Sequence, residues 1–310
     1  MSSKWTAAEI PDQDGRIAIV TGANSGLGRI TALELARHGA QVVVACRSAE
    51  KGEAAAEEIQ AVARGRKPRV HQLDLGSLDS VRHFADEFSD QRVDLLVNNA
   101  GVMMTPQRTT SDGFELQLGT NHLGHFALSG LLLNALQRSD SARIVTLSSN
   151  EHKGGRIDFD DLQQERAYSP RGSYQRSKLA NAVFAIELDR RLRAARSPAV
   201  SVFAHPGYSA TNLQSSGPTG LAKGVMAITN RVLAQRPERG ALPTLYAATA
   251  PGVEGGDYYG PDGMAEMRGF PKKVEAIPDA YDPEIGSRLW RASEELTGVR
   301  YPLPAAGRDS

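Results

Sequence analysis

The chain has 310 residues, 40% of them hydrophobic and 23% charged, with Lys+Arg and Asp+Glu equal at 36 each. Zero formal charge leaves no electrostatic footprint for nucleic acid and no basic face for a membrane surface. Cys46 is the sole cysteine, which excludes an intramolecular disulfide and suits a reducing compartment.

The opening MSSKWTAAEIPDQDGR holds no signal-like apolar run, and no stretch reaches the ~20 apolar residues of a bilayer span. A soluble, cytoplasmic protein is expected. From Ile17 onward, short β-branched runs alternate with longer helical patterns. Strands are expected at Ile17–Thr21, Gln41–Cys46, Arg69–Asp74, Val93–Val97, Ala142–Ser148 and Ala199–Ala204, and helices at about 26–38, 48–63, 77–88, 112–137 and 173–195. Ser48 and Ser77 stand where N-caps belong, and Gly39 where the first helix should stop. Such alternation predicts a single-domain α/β fold, a Rossmann-type doubly wound parallel sheet with helices on both faces.

Thr21-Gly22-Ala23-Asn24-Ser25-Gly26-Leu27-Gly28 joins the first strand to the first helix. Glycines here permit a tight turn, close backbone approach to a pyrophosphate and helix–strand packing, while the helix N-terminus offers free N–H groups. The spacing G-x-x-x-G-x-G differs from the general G-x-G-x-x-G dinucleotide fingerprint. The second strand should end near the adenosine ribose, where a carboxylate would bind a 2′-hydroxyl and an Arg a 2′-phosphate. Here it ends Ala45-Cys46-Arg47-Ser48. Arg47, with the Ser25 hydroxyl, therefore predicts NADP(H) over NAD(H). Asp74 and Leu75, closing the third strand, are candidates to bracket the adenine, with a capping role open for Asp74.

His122 and His125 share a helix face at i, i+3, but no third ligand cluster accompanies them; they read as structural histidines and no metal is expected. Tyr174-Gln175-Arg176-Ser177-Lys178 opens a long helical pattern. Positions i and i+4 share a face, so phenol and ammonium point into one space. A free Tyr has a pKa of ~10. A neighbouring Lys and an oxidised nicotinamide are expected to lower it, making Tyr174 a proton donor or acceptor for a carbonyl–alcohol pair.

Beyond residue 212 the pattern changes. Gly217–Leu233 places Leu221, Val225, Ile228 and Val232 on one stripe beside Met226, which fits either a mobile lid or a packing helix. Gly255–Pro261 reads as a late strand and turn, Asp282–Leu296 as a helix docked by Leu289 and Trp290, and Arg300–Ser310 as frayed. Residues 16–212 are expected to form the cofactor and catalytic core, and 213–310 the substrate lid and C-terminal extension. Met103–Thr110, Asn150–Ser173 and Tyr208–Gly224 are the candidate substrate walls.

The T-G-x-x-x-G-x-G turn, Asn98-Asn99-Ala100-Gly101, Ser148-Ser149 and Y-x-x-x-K, in that order over residues 16–212, resemble the short-chain dehydrogenase/reductase family. The resemblance implies that Ser149 binds the substrate carbonyl, Tyr174 exchanges the proton and Lys178 holds the nicotinamide ribose. It further implies that Asn121 anchors a water in a proton relay. Gly22, Asn24, Ser25, Gly26, Leu27, Gly28, Asn98, Ala100 and Gly101 would border the cofactor, as would Pro206, Gly207 and Thr211. Ser149 precedes Tyr174 by 25 residues, against about a dozen in most members. With Ala45-Cys46-Arg47, Asp112-Gly113-Phe114-Glu115 and Asn121-His122-Leu123-Gly124-His125-Phe126, that gap resembles the retinol-dehydrogenase-like branch, which includes relatives of light-dependent protochlorophyllide reductase. Those reductases carry characteristic cysteines that are missing here. The expected activity is NADP(H)-dependent exchange between a small hydrophobic aldehyde or ketone and its alcohol. A non-catalytic NADP(H)-binding sensor is the alternative, and a nucleotide-sugar epimerase fits the glycine spacing poorly. The sequence leaves substrate, direction and oligomeric state (monomer or homo-oligomer) open.

Overall fold

In the computed structural model, which describes residues 4–208 and 235–304, the alternating segments form one eight-stranded sheet. The strands are β1 (Ile17–Thr21), β2 (Gln41–Cys46), β3 (Arg69–Gln72), β4 (Leu95–Asn98), β5 (Arg143–Leu147), β6 (Val200–Ala204), β7 (Tyr258–Pro261) and β8 (Pro271–Lys273). Their order across the sheet is β3-β2-β1-β4-β5-β6-β7-β8, parallel throughout except for β8, which runs antiparallel to β7. The winding reverses between β1 and β4, which opens a crevice beyond the carboxyl ends of the strands.

Alternate strand residues face two cores, as a sheet covered on both sides requires. Ile19, Val43, Leu96 and Ile144 pack with Phe84, Phe126, Leu188 and Trp290. Ala18, Val20, Val42, Val44, Leu95 and Val97 pack on the opposite face with Leu35, Ile59 and Leu245. Helices α1 (Gly26–Arg37), α2 (Ala49–Gln60) and α3 (Leu78–Asp86) follow the first three strands. Ser48 and Ser77 cap α2 and α3 through their side chains, and Gly39, at φ 107°, turns the chain just beyond α1.

The fourth helical stretch begins later than its periodicity suggests and is broken. Gly113 lies at φ 85° and Thr109 bridges Glu115, so 112–115 is a turn. Helix then runs as α4 (Leu116–Leu118), a π-helical turn at Gly119–Leu123, α5 (Gly124–Leu131) and α6 (Leu133–Gln137). Helix α7 (Pro170–Ala194) starts three residues early, with Ser169 as N-cap and Pro170 in the first turn.

At the C-terminal end, Asp282 caps the helix Pro283–Thr297, whose Trp290 meets Phe126, Phe184 and Tyr301. The expected fraying from Arg300 is corrected at Tyr301: it is buried, and its hydroxyl donates to the Phe126 carbonyl at 2.6 Å. Strand β8 escaped the sequence reading because Pro271-Lys272-Lys273 carries no apolar alternation; it is a short, charged edge. The Gly217–Leu233 stripe lies outside the described residues.

Candidate active site

The crevice is a cleft of about 430 Å³ running from the end of β2 to the end of β6. Its floor is the turn after β1, where Gly22 (φ 67°) and Gly26 (φ 55°) adopt conformations that L side chains rarely take. A Cβ on Gly28 would collide with Asn99 Nδ2 and stand 2.6 Å from the Gly22 carbonyl, so turn, helix and β4 exit meet at a point that only glycine fits. Asn99 Nδ2 donates to the Thr21 carbonyl at 2.7 Å, and the Thr21 hydroxyl accepts the N–H groups of Asn99 and Ala100, both at 2.9 Å. His125 Nδ1 faces the Asn121 carbonyl at 2.9 Å, so Nδ1 carries the proton and Nε2 accepts from Thr21 at 2.9 Å. Ser25 is the N-cap of α1, makes no side-chain capping bond, and lines the cleft together with Asn24 and Leu27. This cradle has the shape and the free helix N-terminus that a dinucleotide pyrophosphate requires.

Arg47, Ser48 and Lys51 line the β2 end, with Asp74 and Leu75 across from them. Asp74 is tied to its own turn, accepting from Gly76 N at 2.9 Å. Lys51 was not singled out in the sequence. Ser48 accepts the backbone N–H of Lys51, which places a second cation one turn beyond Arg47.

Ser149, Tyr174 and Lys178 converge at the other end, beside Pro206, Gly207 and Tyr208. Ser149 follows β5 and hydrogen-bonds Tyr174, which helix α7 presents on the same face as Lys178. Lys178 Nζ donates to the Leu147 carbonyl at 3.0 Å and lies 5.8 Å from the centre of the Tyr174 ring. The lowered Tyr174 pKa expected from Lys178 is not what the protein groups alone produce. Burial outweighs the Ser149 hydrogen bond and, with the nearby Glu151 carboxylate, pushes the phenol up to about 12. Burial likewise pushes Lys178 down to about 8. Both shifts favour the neutral form of a desolvated group.

Several sequence candidates sit behind the cleft rather than on it. Asn98 is buried and donates to Ser129 Oγ at 3.0 Å; it steadies β4, while Asn99, Ala100 and Gly101 border the cleft. Asn121 lies in the π-helical turn, its side chain pairing with the N–H and carbonyl of Val102 at 2.8 and 2.9 Å and with Ser177 Oγ at 2.9 Å. A Cβ on Gly101 would stand 2.9 Å from Asn121 Oδ1 and 3.7 Å from Lys178 Nζ, so Gly101 lets the two approach. His122 bonds Ser293 at 2.9 Å, which gives it, like His125, a partner within the protein. Of the substrate walls, Met103, Met104, Glu151 and Tyr208 line the cleft. Met104 takes φ 49°, held by Gln117 Oε1, which accepts its N–H at 2.7 Å. Thr211 lies outside the described residues.

The profile of the short chain dehydrogenase family matches residues 16–218. Human retinol dehydrogenase 13 is 43% identical over 299 residues, covering 93% of this chain and 86% of that protein. Mouse polyprenol dehydrogenase is 42% identical over 302 residues, covering 94% and 86%. Among solved structures, an uncharacterized protein from Mycobacterium paratuberculosis superposes with a TM-score of 0.82 at 44% identity, covering 97% of this chain and 100% of that one. Among the described residues no helix is long and apolar enough to cross a membrane.

Proposed function

The chain belongs to the short-chain dehydrogenase family, in its retinol-dehydrogenase-like branch, and is an oxidoreductase acting on CH–OH and C=O groups; on that premise we propose that it uses NADP(H) to interconvert a hydrophobic aldehyde or ketone and its alcohol. The observation that carries this reading is one continuous cleft with Arg47 and Lys51 at one end and Ser149, Tyr174 and Lys178 at the other. The dinucleotide, when bound, supplies or receives the hydride at the substrate carbon.

The protein's own groups handle the proton and the oxygen. Ser149 Oγ bonds the carbonyl oxygen, and Tyr174 delivers its phenolic proton to that oxygen as the carbon is reduced. With burial holding Tyr174 at about 12, the phenol is in the protonated form that reduction needs. Oxidation requires the reverse transfer, which a charged Lys178 and a cationic nicotinamide favour by stabilising the phenolate. Lys178 holds the ribose, and Asn121, across Gly101 from it, keeps the relay role that the family resemblance implies. Met103 and Met104 give the catalytic end an apolar wall. Relatives that act on retinol and polyprenol support an apolar substrate. Residues 16–212 would carry cofactor binding and catalysis, with 213–310 as the substrate lid and C-terminal extension. The assembled Ser149–Tyr174–Lys178 group disfavours a sensor that binds without turnover.

The cofactor assignment is tested by titrating the protein with NADPH and NADH. NADPH should bind at least about tenfold more tightly, the worth of one charge-assisted contact to the 2′-phosphate. Arg47→Ala with Lys51→Ala should remove that preference while leaving NADH affinity nearly unchanged. Equal affinities in the wild type would overturn the assignment.

A further inference from the structure

One pair beside the cleft, a buried histidine and a half-buried carboxylate, has no part in the chemistry above. His205, just past β6, is fully buried, and its Nε2 lies 3.1 Å from the Glu266 carboxylate. The Gly207 N–H donates to His205 Nδ1 at 3.2 Å, so Nδ1 is the acceptor and the ring proton sits on Nε2, aimed at Glu266. Burial lowers the His205 pKa and keeps the ring neutral, while its hydrogen bond holds Glu266 down to about 2. Gly260 makes room for the ring, because a Cβ there would overlap Nε2.

Glu266 reaches this position from a strained turn. Ala265 (φ 51°) and Glu266 (φ 55°) are consecutive non-glycine residues in the left-handed region. Asn150, directly after Ser149, holds them by donating from Nδ2 to the carbonyls of Ala265 at 3.1 Å and Glu266 at 3.3 Å. The next residue, Met267, accepts the Tyr208 N–H at 2.7 Å. The turn therefore grips the chain on both sides of the catalytic end: after β5 through Asn150 and after β6 through His205 and Tyr208. Strain of this kind persists only where surrounding contacts over-determine it, and it gathers at functional sites.

We propose that Glu266 is a positioning residue that acts through His205 to set the Pro206–Tyr208 segment against the nicotinamide half of the bound cofactor. The inference rests on the NADP(H) reading and adds a residue that touches neither cofactor nor substrate. Its effect is confined to one end of the cleft. Adenosine 2′,5′-bisphosphate, which would occupy only the Arg47 end, is the control ligand.

The test compares binding of NADPH and of adenosine 2′,5′-bisphosphate to the wild type, Glu266→Ala, Glu266→Asp and Lys153→Met by calorimetry. Glu266→Ala should weaken NADPH about tenfold, the scale of one hydrogen bond to a charged group, and the bisphosphate less than about twofold. Glu266→Asp keeps the charge but draws the carboxylate back from His205; it should give the same selective loss at smaller size, and it serves if the alanine variant does not fold. Lys153, whose ammonium pairs with Glu266 at 3.1 Å, is the second partner of that carboxylate, and Lys153→Met should leave both affinities unchanged. Equal weakening of both ligands, unchanged NADPH affinity in folded Glu266 variants, or a Lys153→Met loss matching Glu266→Ala would each overturn the inference alone. A wild type that binds neither ligand would remove the cofactor reading and this inference with it.

Discussion

Buried histidines set how this fold meets acid. Burial pushes His122 down to about 3 and both His125 and His152 to about 4, from an ordinary value of 6.5. Below pH 6.5 the unfolded chain takes up protons that the folded one refuses, so stability present above that pH is lost as pH falls toward 4. Each histidine adds up to about 1.4 kcal/mol per pH unit to that slope. Thermal denaturation between pH 7 and 4 should show it, and His122→Gln should reduce the slope by close to one proton whatever it does to stability at pH 7. A flat profile in the wild type would contradict the burial assigned to these rings. Tyr174 and Lys178 were legible as a pair because i, i+4 spacing alone puts them on one helix face. The direction of the Tyr174 shift was not. It depends on how completely α7 and the β5 exit exclude water and on the Glu151 carboxylate nearby, and these are properties of packing rather than spacing.

The turn between β1 and α1 is the element on which the cleft depends. Its glycines were readable because each answers a local steric demand, and Gly28 shows that demand most sharply. Gly28→Ala forces a methyl onto Asn99 and the Gly22 carbonyl. It should cost about 1–3 kcal/mol of stability as an overpacking change and, by spreading the turn from β4, most of the cofactor affinity. Urea denaturation and NADPH titration of the same variant check both; unchanged binding would place the pyrophosphate elsewhere. The π-helical turn at Gly119–Leu123 was not legible, because its apolar periodicity matches that of an unbroken helix. The late start of α4 has a long-range cause: Glu115 caps the N–H groups of Gln117 and Leu118 while paired at 3.1 Å with buried Arg176 of α7. Lys51 was missed for a simpler reason, since one lysine on a polar helix carries no signal until the cleft shows where it points.

At the scale of the molecule, strand–helix alternation was enough to predict a parallel sheet wound on both faces with right-handed crossovers; the strand order that sets the reversal between β1 and β4 came only from the structure. What lies past β6 was harder to read. The buried Tyr301 and the Glu266 turn depend on contacts across more than a hundred residues, and β8, which pairs with nearby β7, has no apolar alternation to announce it. On the proposed function the whole cleft is one reaction path, with nucleotide recognition at Arg47 and proton exchange at Tyr174. The measurement that tests this most directly is NADPH oxidation by wild type and Tyr174→Phe over a panel of apolar aldehydes and ketones, with NADPH binding measured on the same samples. The wild type should turn over at least one apolar carbonyl, and turnover by Tyr174→Phe should fall at least about a hundredfold, the contribution of a general acid, with NADPH affinity largely retained. Tyr174→Phe turning over at the wild-type rate would contradict the proposed function.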